Sequence, residues 1–571
     1  MKKIILSFIL VLFFQVTVSS QPCLPDGITF STQAEIDNFQ ANYPGCTEIE
    51  GDVVIAGNNI NNLNGLYVIT AICGDLWIGG LESGNLILNN ITGLGNLASL
   101  GGDLNIINNL ALTNLTGLNN LTSINGDLWI NTNYLNSLDG LNNVTTIGGD
   151  LRIYFCSNLT NLTGLDAITS IGGSLEIIEL SLSNLTGLNA VTSVGGELWI
   201  DYNYNITSFT GLEALTFIGE NLSIGQNPVL PNFNGLNAVT YIGGNLDIYN
   251  NTALINFSGL DAVTSIGGDL YVYENPSLTS LTGLEQVFSI GKSISIGFNP
   301  ALTGLEGISA VNSIGEDLEI YCNDSLVSLS GLENVSGIPG NLVISSNPLF
   351  TNLRGLDGVR YIGGNLSVWS SDSIKNLAGL DALTSIEGHI IIWDNSSLTN
   401  LSGLEAVTST GGFLKIYKNP VLISLSGLDN IDPDQITYLY IVENDSLSIC
   451  EIRSICEYFS DPAGTVIIHD NASGCNSHSE VTEACEIQFP EQIDFEGEYL
   501  IYPNPAKNMF TIATQNDNII ENLILYNIAG QKILDIELPE NPIDVSILQQ
   551  GMYIIEFVLN ESKIREKLII R

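Results

Sequence analysis

Three histidines, His389, His469 and His478, are all this chain offers for imidazole chemistry. None stands at nucleophile spacing from a serine or cysteine motif, and there is no P-loop, GxSxG elbow, HExxH or strand-linked GxGxxG. Carboxylates are plentiful, and a pair on one face could do acid–base work on a glycan. They recur instead as a column: Asp75, Asp103, Asp127, Asp150, Glu197, Asp269 and Asp317 follow glycine-containing turn positions. Turn stabilisation accounts for such a column. Calcium is the second reading, although Asn, Ser, His389 and Phe413 occupy the same position elsewhere. The expectation is therefore no catalytic residue, no resident metal and no cofactor.

The aromatic residues carry a different chemistry. All five tryptophans fall in short alternating L-x-I-x stretches, at the positions that alternation turns away from the core. Trp77, Trp129, Trp199 and Tyr271 form a first outward column; Tyr154, Tyr249, Tyr273, Tyr321, Trp369, Trp393 and Tyr417 form a second. Aromatic faces stack on sugar rings and anchor protein interfaces. They also stack on one another and stiffen a sheet. Other coils carry Arg152, Glu176, Asp247 or Lys415 in these columns, a variation that a recognition surface permits.

The element that positions these columns is a repeat. Residues 259–282 read GLDAVTSIGGDLYVYENPSLTSLT, and a shift of 24 reads GLEQVFSIGKSISIGFNPALTGLE. The Gly-Leu pair recurs in this register through about sixteen copies, with Gly307-Ile308 filling one place. The L-x-I stretch predicts a short strand, and the Gly-Gly before it predicts a tight turn. One coil cannot bury its apolar side alone, but stacked coils make a continuous core. An asparagine column (Asn203, Asn227, Asn251, Asn275, Asn299, Asn323, Asn347, Asn395 and Asn419, with Cys156 and Ser371 as replacements) supplies donors and acceptors for backbone groups inside the coils.

The charge balance, 16 basic against 61 acidic residues and a net charge of −45, argues against nucleic acid and anionic membrane surfaces. Residues 1–20 read as a signal peptide: Lys2 and Lys3, an apolar run from Ile4 to Phe14, then Val18-Ser19-Ser20. No other segment is apolar enough to cross a membrane as a helix, so the mature chain is expected to lack a transmembrane segment. Export permits disulfides. Cys23 is expected to pair with Cys46, while Cys450, Cys456, Cys475 and Cys485 allow three connectivities. Cys73, Cys156 and Cys322 are isolated in the repeats and are expected to be small buried residues. Helical spacing appears over Ala34–Tyr43 and Ile449–Phe459, where caps must cover the ends of the core. From about residue 499, alternating runs (FTIAT, NLILYNI, KILDIEL, MYIIEFVL, KLIIR) predict a small antiparallel β-sandwich.

The stretch from Leu270 to Leu281, LYVYENPSLTSL, resembles a leucine-rich repeat, and the I-x-G-x-L-x-I element resembles the receptor L-domain. The motifs Tyr502-Pro503-Asn504-Pro505, LYNIAGQKI (Leu525–Ile533), Gly551-Met552-Tyr553 and the terminal run from Lys567 resemble the type A sorting domain of the type IX secretion system of Bacteroidota. The resemblance implies passage across the outer membrane by the type IX machinery, then release or surface attachment. Asp-Ser-Leu at 324–326 and 445–447, and Asp-Ser-Ile at 372–374, resemble the O-glycosylation signal of the same group.

The expected fold is all-β: a right-handed leucine-rich-repeat-like β-solenoid of about 17 coils with disulfide caps, then an immunoglobulin-like β-sandwich. The expected organisation is a signal peptide (1–20), an N-terminal cap (21–48), the repeat solenoid (49–447), a Cys-containing cap (448–487), a linker (488–498) and the sorting domain (499–571). The first functional reading is an exported surface or secreted protein that binds a protein or glycan through the aromatic strand face. A structural surface-layer or spacer protein is the alternative, and a glycan-active enzyme the third reading.

Overall fold

The structure, a computed structural model, describes residues 22–82, 84–460, 462, 464–488, 499–502, 504, 506–514, 520, 522–537, 542–559 and 562–570. The signal peptide, most of the linker, Pro503 and Pro505 lie outside the described residues. The chain divides into two compact units, residues 1–350 with 354–359, and residues 351–353 with 360–571.

Most coils contribute one four-residue strand, such as Leu128–Asn131, and most add a two-residue strand, such as Ser123–Ile124. Within each unit the long strands pair in parallel with those of neighbouring coils, with no slip in register: Leu104, Leu128 and Leu151 face one another, as do Ile106, Ile130 and Ile153. Register is held because the alternation buries Leu and Ile completely, and a one-residue slip would turn every one of them outward. The remaining leucines of each coil, such as Leu278, Leu281 and Leu284, reach the same core without forming strands. The first unit holds fourteen of the long strands and the second holds five, nineteen in all. That exceeds the seventeen coils expected, because both caps join the ladder: Ile28–Phe30 pairs with Val53–Ile55, and Thr465–His469 pairs with Tyr438–Val442.

The glycines have a reason other than the expected turn. The Gly-Gly pair before each strand does not adopt positive φ; coils simply approach too closely there for a side chain. A Cβ at Gly148 would lie 2.1 Å from the Asn125 carbonyl oxygen, and one at Gly149 would lie 2.0 Å from Asp127 Oδ1. The Gly of the Gly-Leu pair is the conformationally special one, with φ near +110° from Gly164 to Gly427.

At the end of each long strand one residue turns left-handed, from Asn108 to Asp470, with φ between +49° and +57°. Few of these are glycine or asparagine, so each turn costs about 1 kcal/mol or more. The turn sends the next side chain into the interior, where the asparagine column compensates. Asn275 accepts the Asn251 N–H (3.1 Å) and donates to the carbonyls of Ile248 and Tyr273 (3.0 Å each). The column extends beyond the residues that the sequence pattern marks, to Asn85, Asn109, Asn133, Asn444 and Asn471. Cys156 and Ser371, which replace it in two coils, still reach the carbonyl two residues back.

Cys23 is bonded to Cys46 in the first cap, beside the short helices Gln33–Asp37 and Phe39–Asn42. A capping box between Thr32 and Glu35 starts the first of them. In the second cap, Cys450 is bonded to Cys475 and Cys456 to Cys485; the latter joins helix Arg453–Ser460 to helix His478–Gln488. Of the remaining cysteines, Cys156 is buried, but Cys73 is exposed and Cys322 partly so. The repeat places these two outside the core, against the expectation from sequence.

Residues 499–570 form two antiparallel sheets around a separate core of Phe510, Leu523, Leu525, Ile555, Phe557 and Leu568. Among the described residues no helix is long and apolar enough to cross a membrane.

Candidate functional site

The long strands present the two outward columns side by side. Trp77, Trp129, Trp199 and Tyr271 stand in the first, and Tyr154, Tyr249, Tyr273, Tyr321, Trp369, Trp393 and Tyr417 in the second; all are half-buried. They do not form one continuous strip.

In the first unit the tryptophans are kept apart by what lies between them. Asn105 separates Trp77 from Trp129, while Arg152 and Glu176 separate Trp129 from Trp199. Trp129 meets Tyr154 edge-on, with centroids 6.5 Å apart. Arg152 is bound by Asp127, Asp150 and Glu176 together, and Glu176 also accepts from the Tyr154 hydroxyl. Tyr249 folds back across Gly225, whose missing side chain makes room for the ring, and donates to Asp201 two coils away (3.1 Å). Tyr321 lies over Gly297 in the same way.

Further along, Tyr271 stacks on Tyr273 (5.7 Å), Tyr273 meets Phe298 (5.1 Å) and Phe298 meets Tyr321 (5.7 Å). A groove of ≈ 540 Å³ adjoins this cluster, lined by Glu274, Pro276, Phe298, Pro300, Cys322 and Asp324 among others. In the second unit, by contrast, Trp369, Trp393 and Tyr417 stack face to face at 5.2 and 5.3 Å, and Tyr440 closes the row edge-on. The ammonium of Lys415 lies over Tyr417 and Tyr440, at 4.7 and 5.3 Å.

Carboxylates also gather on this face. Burial pushes Asp247 up to about 6, with Asp269 adding repulsion. Burial, then the charges of Glu176, Asp247 and Glu220, push Glu197 up to about 6. Burial also raises Asp201, against the opposing hydrogen bond from Tyr249. Beside the face, the acidic column serves the backbone. Asp75 Oδ1 accepts the N–H of Asp103 (2.8 Å), and Asp103 accepts that of Asp127 (2.8 Å). His389 takes the same part through Nδ1, accepting from the Phe413 N–H at 3.1 Å. Among the described residues no cluster of three or more His, Cys, Asp or Glu is arranged to hold a metal.

Sequence reasoning passed over Phe298, Tyr438, Tyr440 and Asn105. Tyr440 was legible: the run Tyr438–Val442 repeats the alternation, but its coil is one residue longer, 25 from Asn419 to Asn444. The gathering of Glu176, Asp201 and Asp247 depends on which coils neighbour which column, and no single repeat signals it.

The sorting motifs meet at the last strand, Ser562–Ile570. The Asn504 amide donates to the Lys567 carbonyl (2.6 Å) and accepts the Ile569 N–H (2.9 Å), so it clips the start of the domain to its end. Gly551 opens the strand that pairs with Ile570, and the Tyr553 hydroxyl donates to the Gln549 carbonyl (2.8 Å). Tyr502 ends the strand Tyr499–Tyr502.

Residues 500–571 match the family of secretion system C-terminal sorting domains. No curated protein matches the chain. Among solved structures it is similar to a chain in the structure of the Toll–Spatzle complex, a molecular hub in Drosophila development and innate immunity. That likeness has 14% identity and a TM-score of 0.32, and covers 76% of this chain and 60% of that one, so this chain spans less than two thirds of its length. The protein is a β-solenoid of repeated coils with a type IX secretion sorting domain at residues 500–571, and it is secreted or attached to the outer cell surface.

Proposed function

We propose that the solenoid is a non-catalytic recognition module whose strand face binds a glycan or protein outside the cell. One observation carries this reading. All five tryptophans of the chain stand on the outward positions of the long strands, while none contributes to the core. Large aromatic side chains on a sheet face supply contact area at small entropic cost. The carboxylates support a binding role over a catalytic one, because Glu176 and Asp201 are tied to Arg152, Tyr154 and Tyr249 rather than free as a pair. The net charge of −45 disfavours nucleic acid as the partner.

A second reading, a stiff spacer, draws support from the second unit. There Trp369, Trp393 and Tyr417 use their faces on one another. The test is a binding screen of the secreted chain against polysaccharides and matrix proteins, run beside Trp129→Ala and Trp369→Ala/Trp393→Ala. A ligand lost in a folded variant supports recognition and locates its face. Absence of any ligand favours the spacer, and retention by both variants overturns the strand face as the binding site.

A further inference from the structure

Beyond the C-terminal ends of the long strands in the first unit, the repeat builds a groove. After each strand the left-handed residue stands at the surface, the asparagine that follows drops into the core, and the next residue returns to the surface. Two ridges result, and together they line a groove of ≈ 540 Å³ over the coils from Asn250 to Asp324. Glu274, Phe298 and Cys322 come from the first ridge, and Pro276, Pro300 and Asp324 from the second. The left-handed backbone at Glu274, Phe298 and Cys322 and the fixed φ of the two prolines hold this lining in place, so little freedom is lost when a ligand settles on it.

The chemistry of the lining selects a cation. Phe298 is 43% exposed, and Tyr273 and Tyr321 meet it at 69° and 81° rather than stacking on it. Glu274 stands one coil before Phe298 and Asp324 one coil after, so a carboxylate flanks the ring on each side, at about 4.8 Å per coil. Glu274 also accepts from the Tyr273 hydroxyl, a hydrogen bond that pushes that phenol up and leaves the carboxylate further acceptor positions. Neither carboxylate is in an ion pair among the described residues. The one basic residue between 250 and 324, Lys292, lies at the other end of the strand Ile294–Gly297 from Phe298. In the second unit the chain fills the corresponding need itself, with the Lys415 ammonium over Tyr417 and Tyr440 at 4.7 and 5.3 Å. An anion is repelled by both flanking carboxylates and by a chain of net charge −45. Of the two basic side chains, arginine suits a lining of one aromatic ring and two prolines, because its guanidinium is planar, weakly hydrated and stacks.

We propose that this groove receives an arginine side chain from a basic segment of a partner protein, with the guanidinium stacked on Phe298 between Glu274 and Asp324. This rests on the recognition reading of the solenoid and names the partner's chemistry. The experiment follows modification of Cys322 by N-ethylmaleimide in the full secreted chain, with Cys73→Ser removing the exposed thiol elsewhere; Cys156 is buried. The probe is a tetra-arginine amide, with a tetralysine amide and cellohexaose beside it. The arginine peptide is expected to slow the modification of Cys322, and to do so at a lower concentration than the lysine peptide. Phe298→Ala is expected to raise the concentration needed about three-fold or more, and Glu274→Gln/Asp324→Asn about five-fold or more. Calorimetry on the unaltered chain, which does not depend on the thiol, is expected to rank the three probes in the same order. Cys322 modification unchanged by the arginine peptide overturns the groove. Protection that Phe298→Ala leaves intact is general attraction to an acidic chain and overturns the site. Equal action of the lysine peptide overturns arginine as the occupant, and equal protection by cellohexaose overturns the protein partner in favour of a glycan. Trp129→Ala and Trp369→Ala/Trp393→Ala leave the groove's lining residues unaltered. A screening ligand lost in those variants, while tetra-arginine fails to protect Cys322, removes the groove and leaves the strand-face reading standing.

Discussion

Replacing Asn275 by alanine removes a side chain that is fully buried and serves three backbone groups. The Asn251 N–H loses its acceptor, and the carbonyls of Ile248 and Tyr273 lose their donor. A buried polar group without a partner costs about 1–3 kcal/mol, so the three together set a loss of roughly 3 kcal/mol or more. Serine can still reach the carbonyl two residues back, as Ser371 does in its own coil, and the expected loss for Asn275→Ser is smaller. A solenoid is stabilised coil by coil, so the damage should stay local. Urea unfolding gives the total, and hydrogen exchange at Asn251 and its neighbours gives the location. A loss for Asn275→Ala below about 1 kcal/mol, with exchange at Asn251 unchanged, would refute the column's part in holding the coils together.

Two other perturbations test the packing and the electrostatics. Gly259→Ala must fail badly, because φ is +108° and the new Cβ would sit 2.2 Å from the Phe233 carbonyl group. Gly530→Ala, at φ +77° with nothing within 4 Å, carries only the conformational cost of about 1–2 kcal/mol, and comparing their urea midpoints separates the two effects. Asp247 and Glu197 titrate near 6 in the folded chain, above the ordinary carboxylate value, so the folded state binds more protons than the unfolded one. Their contribution therefore strengthens as pH falls from 7 through 6 towards 4, and weakens as pH rises through that window. Melting temperature should rise between pH 7 and pH 5, and Asp247→Asn should shrink that rise. A pH profile unaltered by Asp247→Asn contradicts the assignment.

The features that repeat were legible in the sequence because one backbone geometry recurs in each coil. The Gly of Gly-Leu is demanded by positive φ, and the interior asparagine by the left-handed residue before it, so both return at fixed spacing. Alternation alone put Trp77, Trp129, Trp199, Trp369 and Trp393 on the strand face. Features that depend on a neighbouring coil were not legible. Whether Tyr249 stands up or lies flat is decided by Gly225, 24 residues earlier. Gly-Gly looked like a turn signal because close coil contact and turn formation select the same residue. Cysteine pairing in the second cap depended on where two helices settle, which four cysteines alone do not specify.

The most direct test of recognition by the strand face is an oxidative footprint of the secreted chain with and without a ligand from the binding screen. Protection should concentrate at strand-face aromatics such as Trp129, Trp199 and Tyr273. Exposed aromatics off those strands, Tyr67 and Phe288, should stay as reactive as before. Protection at Tyr67 or Phe288, with the strand-face tryptophans unchanged, would contradict the account.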